Sequence, residues 1–248
     1  MAKEKTTAII LRTFQFSETS LVLAVFTREF GKINTLAKGA RRLKGPFESA
    51  LDLLTVCRIV FLRKSSEALD IMTEAKLVRR FQPDRNLSNL YAGYYVVELL
   101  NELTDDYDPH PKLFDIADEA LKNLSEGKSA DREILRFELG MLNILGLLPS
   151  FEMCVRCGCR IESTDRVAFG QLDGGVLCKK CRVGRKQVAS VSSGALRIMV
   201  EMANLDRQTW RRVEIDSRCR GELRGILNHY FSNLLGRRPR MYEYLTKL

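Results

Sequence analysis

The residues best suited to chemistry in this chain of 248 are its seven cysteines, and four of them fall into a pattern. Cys154-Val-Arg-Cys157 and Cys178-Lys-Lys-Cys181 form C-x2-C-x20-C-x2-C. Each C-x2-C sets two thiolates on a tight knuckle, and two knuckles offer four soft ligands to a tetrahedral Zn²⁺. The insert lies close to the spacing expected of zinc sites. Its Gly170, Gly174 and Gly175 beside the short apolar runs VAFG and GVLC suit a small β-ribbon. Four thiolates leave no open coordination position, so the expected ion is structural and not catalytic. Lys179, Lys180, Arg156 and Arg160 would offset the charge of such a centre and can also face a polyanion. Cys159 leaves an alternative open, since C-x4-C would let it replace Cys157. Cys57 and Cys219 read as buried or incidental thiols.

Other chemistry is sparse. The two histidines, His110 and His229, have no convincing nucleophile or metal partner in sequence. No G-x-S-x-G, P-loop or dinucleotide fingerprint occurs. Asp70 with Glu74-Ala-Lys76 fits the loose D…E-x-K pattern of metal-dependent nucleases, in which two carboxylates hold Mg²⁺ and a lysine steadies the attacking water. The pattern is short and arises freely on an exposed strand face. Asp105-Asp106-Tyr107-Asp108 reads as a helix end and not a metal cage. The sequence does not point to an enzyme.

Composition bounds the class. Apolar residues make up 45% and charged residues 29%, as in an ordinary soluble globular chain. No run approaches the length of a membrane span. MAKEKTTAII lacks an apolar core ahead of a cleavage site, so no secretory leader is expected and the cysteines are expected to stay reduced, ruling against disulfides. These readings lead to the expectation of a cytoplasmic protein. The net charge is +9, and it is unevenly spread. Residues 1–80 carry net +7, 81–150 net −7, 151–190 net +4 and 191–248 net +5. Two basic parts flanking an acidic middle suggest a polyanionic partner.

These seams also divide the predicted elements. In residues 1–80, Thr7–Leu11, Ser20–Thr27, Lys32–Ala37, Leu54–Leu62 and Leu69–Leu77 read as five strands. One long connection, KGARRLKGPFES from Lys38 to Ser49, carries two glycines, one proline and four basic residues. A five-stranded barrel with such a loop suggests an OB-fold, an architecture that binds nucleic acids. Residues 81–150 turn helical, with stripes from Leu87 to Leu103 and from Leu113 to Leu124, and a third helix from Asp131 to Leu148 stopped by Pro149. Residues 151–190 form the zinc-ribbon-like module. Residues 191–248 add helices at Ser193–Leu205 and Ser217–Leu235 that would pack on the bundle. The expected fold is multidomain α+β: an N-terminal five-stranded OB-fold barrel, a helical bundle and an embedded four-cysteine zinc-ribbon-like module.

On that frame, Lys38, Arg41, Arg42 and Lys44 are placed to contact phosphates, with Arg12 and Lys32 continuing the track. Phe14 and Phe16 alternate with polar residues. Period 2 reads them first as an inward barrel face, with base stacking as the other use.

Several stretches resemble the RecO family of bacterial DNA repair and recombination proteins. RTFQFSETSLVLAVFTREFGKINTLAKGARR (residues 12–42) is similar to its N-terminal signature. YYVVELLNELT (94–104), RFELGMLNILGLLPSFEMCVRCG (136–158) and GGVLCKKC (174–181) follow in order. The resemblance implies a recombination mediator that binds single- and double-stranded DNA and anneals complementary strands. It also implies that, with RecR, the protein assists loading of RecA onto strands coated by single-stranded DNA-binding protein (SSB). Family members bind the acidic, apolar C-terminal tail of SSB, and the groove for it is expected near Arg220 and Arg224. Another kind of OB-fold and zinc-ribbon factor, binding nucleic acid without annealing or SSB recognition, is the alternative reading.

Overall fold

The computed structural model describes residues 2–42, 45–47, 50–64, 68–83, 86–161, 165–206 and 209–245. Five strands open the chain: β1 (Ala2–Gln15), β2 (Leu21–Thr27), β3 (Gly31–Ala37), β4 (Val56–Arg63) and β5 (Asp70–Arg79). They close into a barrel in the order β1-β2-β3-β5-β4. All neighbours run antiparallel except β3 and β5, which pair in parallel from Thr35↔Asp70. A closed five-stranded barrel is the OB-fold expected from the sequence.

Closure depends on β1 changing partners. Its first half pairs with β4, from Ala2↔Arg63 to Ile9↔Val56, and its second half with β2, to Gln15↔Leu21. A register shift between Ile10 and Arg12 marks the bend, as bulges do at barrel corners. Alternating residues fill the interior: Ala8 and Ile10 of β1, Leu23 and Val25 of β2, Ile33 of β3, Ile59 and Phe61 of β4, and Met72 of β5. The basic connection is anchored there too, since Phe47, Ala50 and Leu51 join the same core.

Helix α1 (Leu87–Leu103) starts at Asn86, whose side chain accepts from the Ser88 N–H at 3.0 Å. Helix α2 (Pro111–Ser125) has proline in its first turn, where a missing N–H costs nothing. The Asn89 amide ties α1 to the end of α2 by donating to Leu124 O (2.7 Å) and Lys128 O (3.0 Å). Helix α3 (Ala130–Ile144) ends before Pro149 is reached. Gly146 adopts a left-handed φ of 69°, and the Leu147 N–H donates to Leu142 O at 2.8 Å. That 6→1 closure is a glycine stop, so the proline is not what ends this helix.

The second half contains a three-stranded sheet ordered β7-β6-β8, built from β6 (Arg166–Gly170), β7 (Gly175–Leu177) and β8 (Val188–Ser192). Helix α4 (Ser193–Ala203) is capped by Ser192, and α5 (Ser217–Leu235) by Asp216. The short α6 (Tyr242–Leu245) closes the described chain. Two compact units result: residues 1–134 with 243–248, and residues 135–242. Among the described residues no helix is long and apolar enough to cross a membrane.

Candidate metal centre and nucleic-acid interface

The first knuckle is a tight turn. The Cys154 N–H donates to Cys159 O and the Gly158 N–H returns to Cys154 O, both at 2.8 Å. Gly175 lets β7 pass directly beneath, since a Cβ there would lie 2.7 Å from Ser150 O. The second knuckle follows β7, and the Cys178 N–H donates to Cys154 Sγ at 3.4 Å.

The sulfurs of Cys154, Cys157, Cys159 and Cys178 all lie within 4.8 Å of one another. Cys157 Sγ is 3.8 Å from Cys178 Sγ and 3.4 Å from Cys159 Sγ. Zn–S bonds near 2.3 Å put tetrahedral sulfurs about 3.8 Å apart, so this donor set fits a metal ion. Cys181 adjoins the group: its N–H reaches Cys178 Sγ at 3.4 Å, and its side chain is hydrogen-bonded with those of Cys178 and Cys157. Five cysteines thus converge where four were expected, Cys159 standing beside the two knuckle pairs.

Their protonation is divided. Burial opposes ionisation of Cys154, but the N–H groups of Cys178, Cys157 and Arg156 outweigh it and bring its pKa down to about 6. The Cys181 N–H likewise lowers the pKa of Cys178. The side-chain hydrogen bond with Cys157 pushes Cys159 up to about 12, and those with Cys178 and Cys157 do the same for Cys181. Backbone donors thus favour the thiolate form at the first cysteine of each knuckle, and a cysteine that binds a metal ion does so as the thiolate. A cavity of about 610 Å³ adjoins the cluster, lined on its basic side by Arg160, Arg166, Lys179, Lys180 and Arg182. Arg156 is held elsewhere, in an ion pair with Asp173 at 2.7 Å.

On the barrel, the basic connection packs against the β1–β2 turn. The Arg41 N–H donates to Thr19 O at 3.0 Å and its guanidinium to Glu18 O at 3.2 Å. Arg41 and Arg42 lie on the described part of this connection, while Lys44 lies outside the described residues. Lys38 stands at its start, directly after β3, and is exposed. The same turn carries the aromatic pair, through Phe16 N–H to Ser20 O at 3.0 Å. Phe14 is 56% and Phe16 65% exposed, so the inward reading is overturned. Beyond the bend β1 has run past its pairing with β4 and is held by β2 alone, through Phe14↔Val22 and Gln15↔Leu21.

Arg12 and Lys32 have other tasks. Lys32 is largely covered by α1 and donates to Asn101 O (2.9 Å) and Thr104 O (2.6 Å), with Asp106 at 3.6 Å. It thereby satisfies carbonyls left open at the end of α1. Arg12 pairs with Glu102 of the same helix at 3.1 Å. The nuclease-like carboxylates do not converge. Asp70 is buried, accepting the Tyr107 hydroxyl (2.5 Å) and the Lys64 N–H (2.9 Å), whereas Glu74 faces out toward Lys3 at 3.5 Å. A register shift in β5 opposite Val60/Phe61 separates their faces. On α5, Arg220 is exposed, and Arg224 holds the wholly buried Glu138.

A closed OB barrel with an aromatic and basic edge, followed in the chain by a helical unit carrying a cysteine cluster that could hold a metal ion, defines a class of multidomain α+β protein. Residues 1–81 match the family description "Recombination protein O N terminal" and residues 85–243 match "Recombination protein O C terminal". The chain is 38% identical to the DNA repair protein RecO of Rhodopirellula baltica, over 96% of this chain and 97% of that one. It is 31% identical to the RecO of Myxococcus xanthus (97% and 96% covered) and 27% identical to that of Halalkalibacterium halodurans (98% and 94%). The chain belongs to the RecO family of DNA repair proteins.

Proposed function

We propose that this chain is a recombination mediator in DNA repair that binds single- and double-stranded DNA and anneals complementary strands. The observation that carries the reading is the exposed pair Phe14 and Phe16 on the turn that holds Arg41. Aromatic faces accept any base, and neighbouring cations follow the phosphates, which is how sequence-tolerant single-strand binding is built. Lys38, Arg41, Arg42 and Lys44 are the phosphate contacts of this reading, Arg12 and Lys32 being occupied by α1. Annealing needs no covalent step. A basic surface that screens two backbones lowers their repulsion while leaving the bases free to pair.

With RecR, the protein would then assist RecA onto strands coated by SSB. The acidic SSB tail is assigned to the basic surface of α5 around Arg220. Arg224 is a poor partner for it, because leaving Glu138 would strand a buried charge. The cysteine cluster holds a structural Zn²⁺ that fixes the two knuckles, and the expected location is the cytoplasm. Annealing of complementary oligonucleotides, naked and SSB-coated, at rising salt tests the whole. Annealing of both, lost as salt rises while the fold survives, supports the mediator reading. Binding without annealing of either overturns it in favour of a general OB-fold and zinc-ribbon factor.

A further inference from the structure

The outer face of β1, β4 and β5 carries cations that the loop and aromatic site do not use. Lys3 and Lys5 point outward on β1, because Thr6 and Ala8 are buried. Arg58 of β4 stands directly opposite Thr7 on one side and Lys76 of β5 on the other. Lys5, opposite Val60, is diagonal to Arg58. Side chains so placed lie about 5–8 Å apart, and like charges directly opposite across a strand pair destabilise it. Among the described residues, the side chains of Lys5, Arg58 and Lys76 have no hydrogen-bond or ion-pair partner. The two nearby carboxylates are engaged, Glu74 with Lys3 at 3.5 Å and Glu29 with the Thr6 hydroxyl. The groove between them measures about 670 Å³.

We infer that this face is a second seat for a nucleic-acid backbone, held by Lys5, Arg58 and Lys76. A phosphate lying between Arg58 and Lys76 turns their mutual repulsion into two attractions, and Lys5 extends the contact along β1. The groove has no aromatic lining, so it reads backbone and not bases. Four cations, Lys3, Lys5, Arg58 and Lys76, line it against the carboxylates of Glu29 and Glu74. That favours a polyanion whose charges repeat along its length, as those of a nucleic-acid backbone do. β1 joins the two faces, with Lys3 and Lys5 beside β4 and Phe14 beside β2. The inference rests on the nucleic-acid reading and deepens it: one barrel holds two strands, one by base and backbone, the other by backbone alone.

The test is a stoichiometric titration of the full chain with a short fluorescent oligo-dT at low salt. The variants are Lys5→Glu/Arg58→Glu/Lys76→Glu, its neutral counterpart Lys5→Gln/Arg58→Gln/Lys76→Gln, and Arg41→Glu/Arg42→Glu. Melting curves keep only variants that remain folded, and the neutral triple stands in if reversal prevents folding. The face triple should bind one oligonucleotide fewer per chain than the wild type, with the log–log salt slope reduced by about 2 for three lost contacts. Unchanged stoichiometry and slope in the triple, with binding lost in Arg41→Glu/Arg42→Glu, overturns the second seat alone. No binding by the wild type overturns the nucleic-acid reading and this inference with it. Poly-glutamate displacing only the oligonucleotide that the triple loses, at equal charge concentration and lower dose, would reassign the face to an acidic protein.

Discussion

Arg224 places two guanidinium nitrogens on the carboxylate of Glu138, whose side chain is completely shielded from solvent. The pair links α5 to α3 inside the second unit, and removing one partner leaves the other charge buried. Arg224→Ala should therefore cost about 3–5 kcal/mol in urea unfolding, and Arg224→Met/Glu138→Leu should recover much of it. An equal loss in the double variant would mean that the packing of Arg224, and not its charge, holds the helices. Reversal at Arg220 is consequently the cleaner probe of an SSB-tail contact.

Lys32 is the corresponding case in the barrel unit. Its ammonium bonds Asn101 O and Thr104 O at the end of α1. Lys32→Met should lower stability by about 1–3 kcal/mol, the cost of leaving buried acceptors unmet. The salt slope of DNA binding should not change. A slope reduced by about 0.7 would show that Lys32 touches a phosphate after all.

These two residues also show where sequence stops being informative. Period 2 locates the strands of the barrel because β residues alternate about a filled interior, and helical stripes locate α1, α2, α4 and α5 for the parallel reason. Spacing places the knuckles, because a C-x2-C turn is local. Partners far along the chain leave no such trace. Nothing near Lys32 or Arg12 announces that α1 will settle over them, and nothing near Arg224 announces Glu138. Alternation puts Phe14 and Phe16 on one face without saying which, since the bend in β1 decides that. Gly146, three residues ahead of the proline, is the available signal for the end of α3. The cations of the β4–β5 face are legible only once the register sets Arg58 opposite Lys76.

The cysteine cluster poses a choice between Cys159 and Cys181. In each knuckle the fourth residue donates its N–H to the sulfur of the first, Cys157 to Cys154 and Cys181 to Cys178. That equivalence favours the two C-x2-C pairs as ligands and Cys159 as a neighbour. Cys159→Ser should retain one zinc per chain by elemental analysis, and Cys178→Ser or Cys181→Ser should lose it together with the fold of the module. Retention in Cys181→Ser with loss in Cys159→Ser would give the fourth position to Cys159.

Glu222 contributes a pH dependence whose sign can be worked out. Burial raises its pKa, but the Ser192 side chain and N–H and the Arg166 guanidinium outweigh this and hold it below the usual carboxylate value. Its contacts are Ser192 N–H at 2.8 Å and Arg166 at 2.9 Å. A carboxyl with a lowered folded pKa stabilises above its unfolded value near 4.5, and that stabilisation disappears as pH falls through the folded one. Glu222→Gln should thus be less stable than the parent by about 1 kcal/mol at pH 7. The gap should close in acid, and a constant gap from pH 7 to pH 3 would contradict the assignment.

The aromatic and basic halves of the proposed DNA edge should separate experimentally, because stacking and counterion release respond differently to salt. Phe14→Ala/Phe16→Ala removes the two exposed rings and should weaken single-strand binding by about 1–3 kcal/mol per stacked base, with the salt slope intact. Duplex binding, where bases are already stacked, should hardly change. Arg41→Ala/Arg42→Ala should instead reduce the slope by about 1.4 on single strands and weaken duplex binding as well. Both rings lie on the outside of the barrel, so neither variant opens a cavity, and melting temperatures should stay within a few degrees of the parent. If the two variants shift slope and affinity alike on both substrates, the rings do not stack on bases, and the edge is a purely electrostatic one.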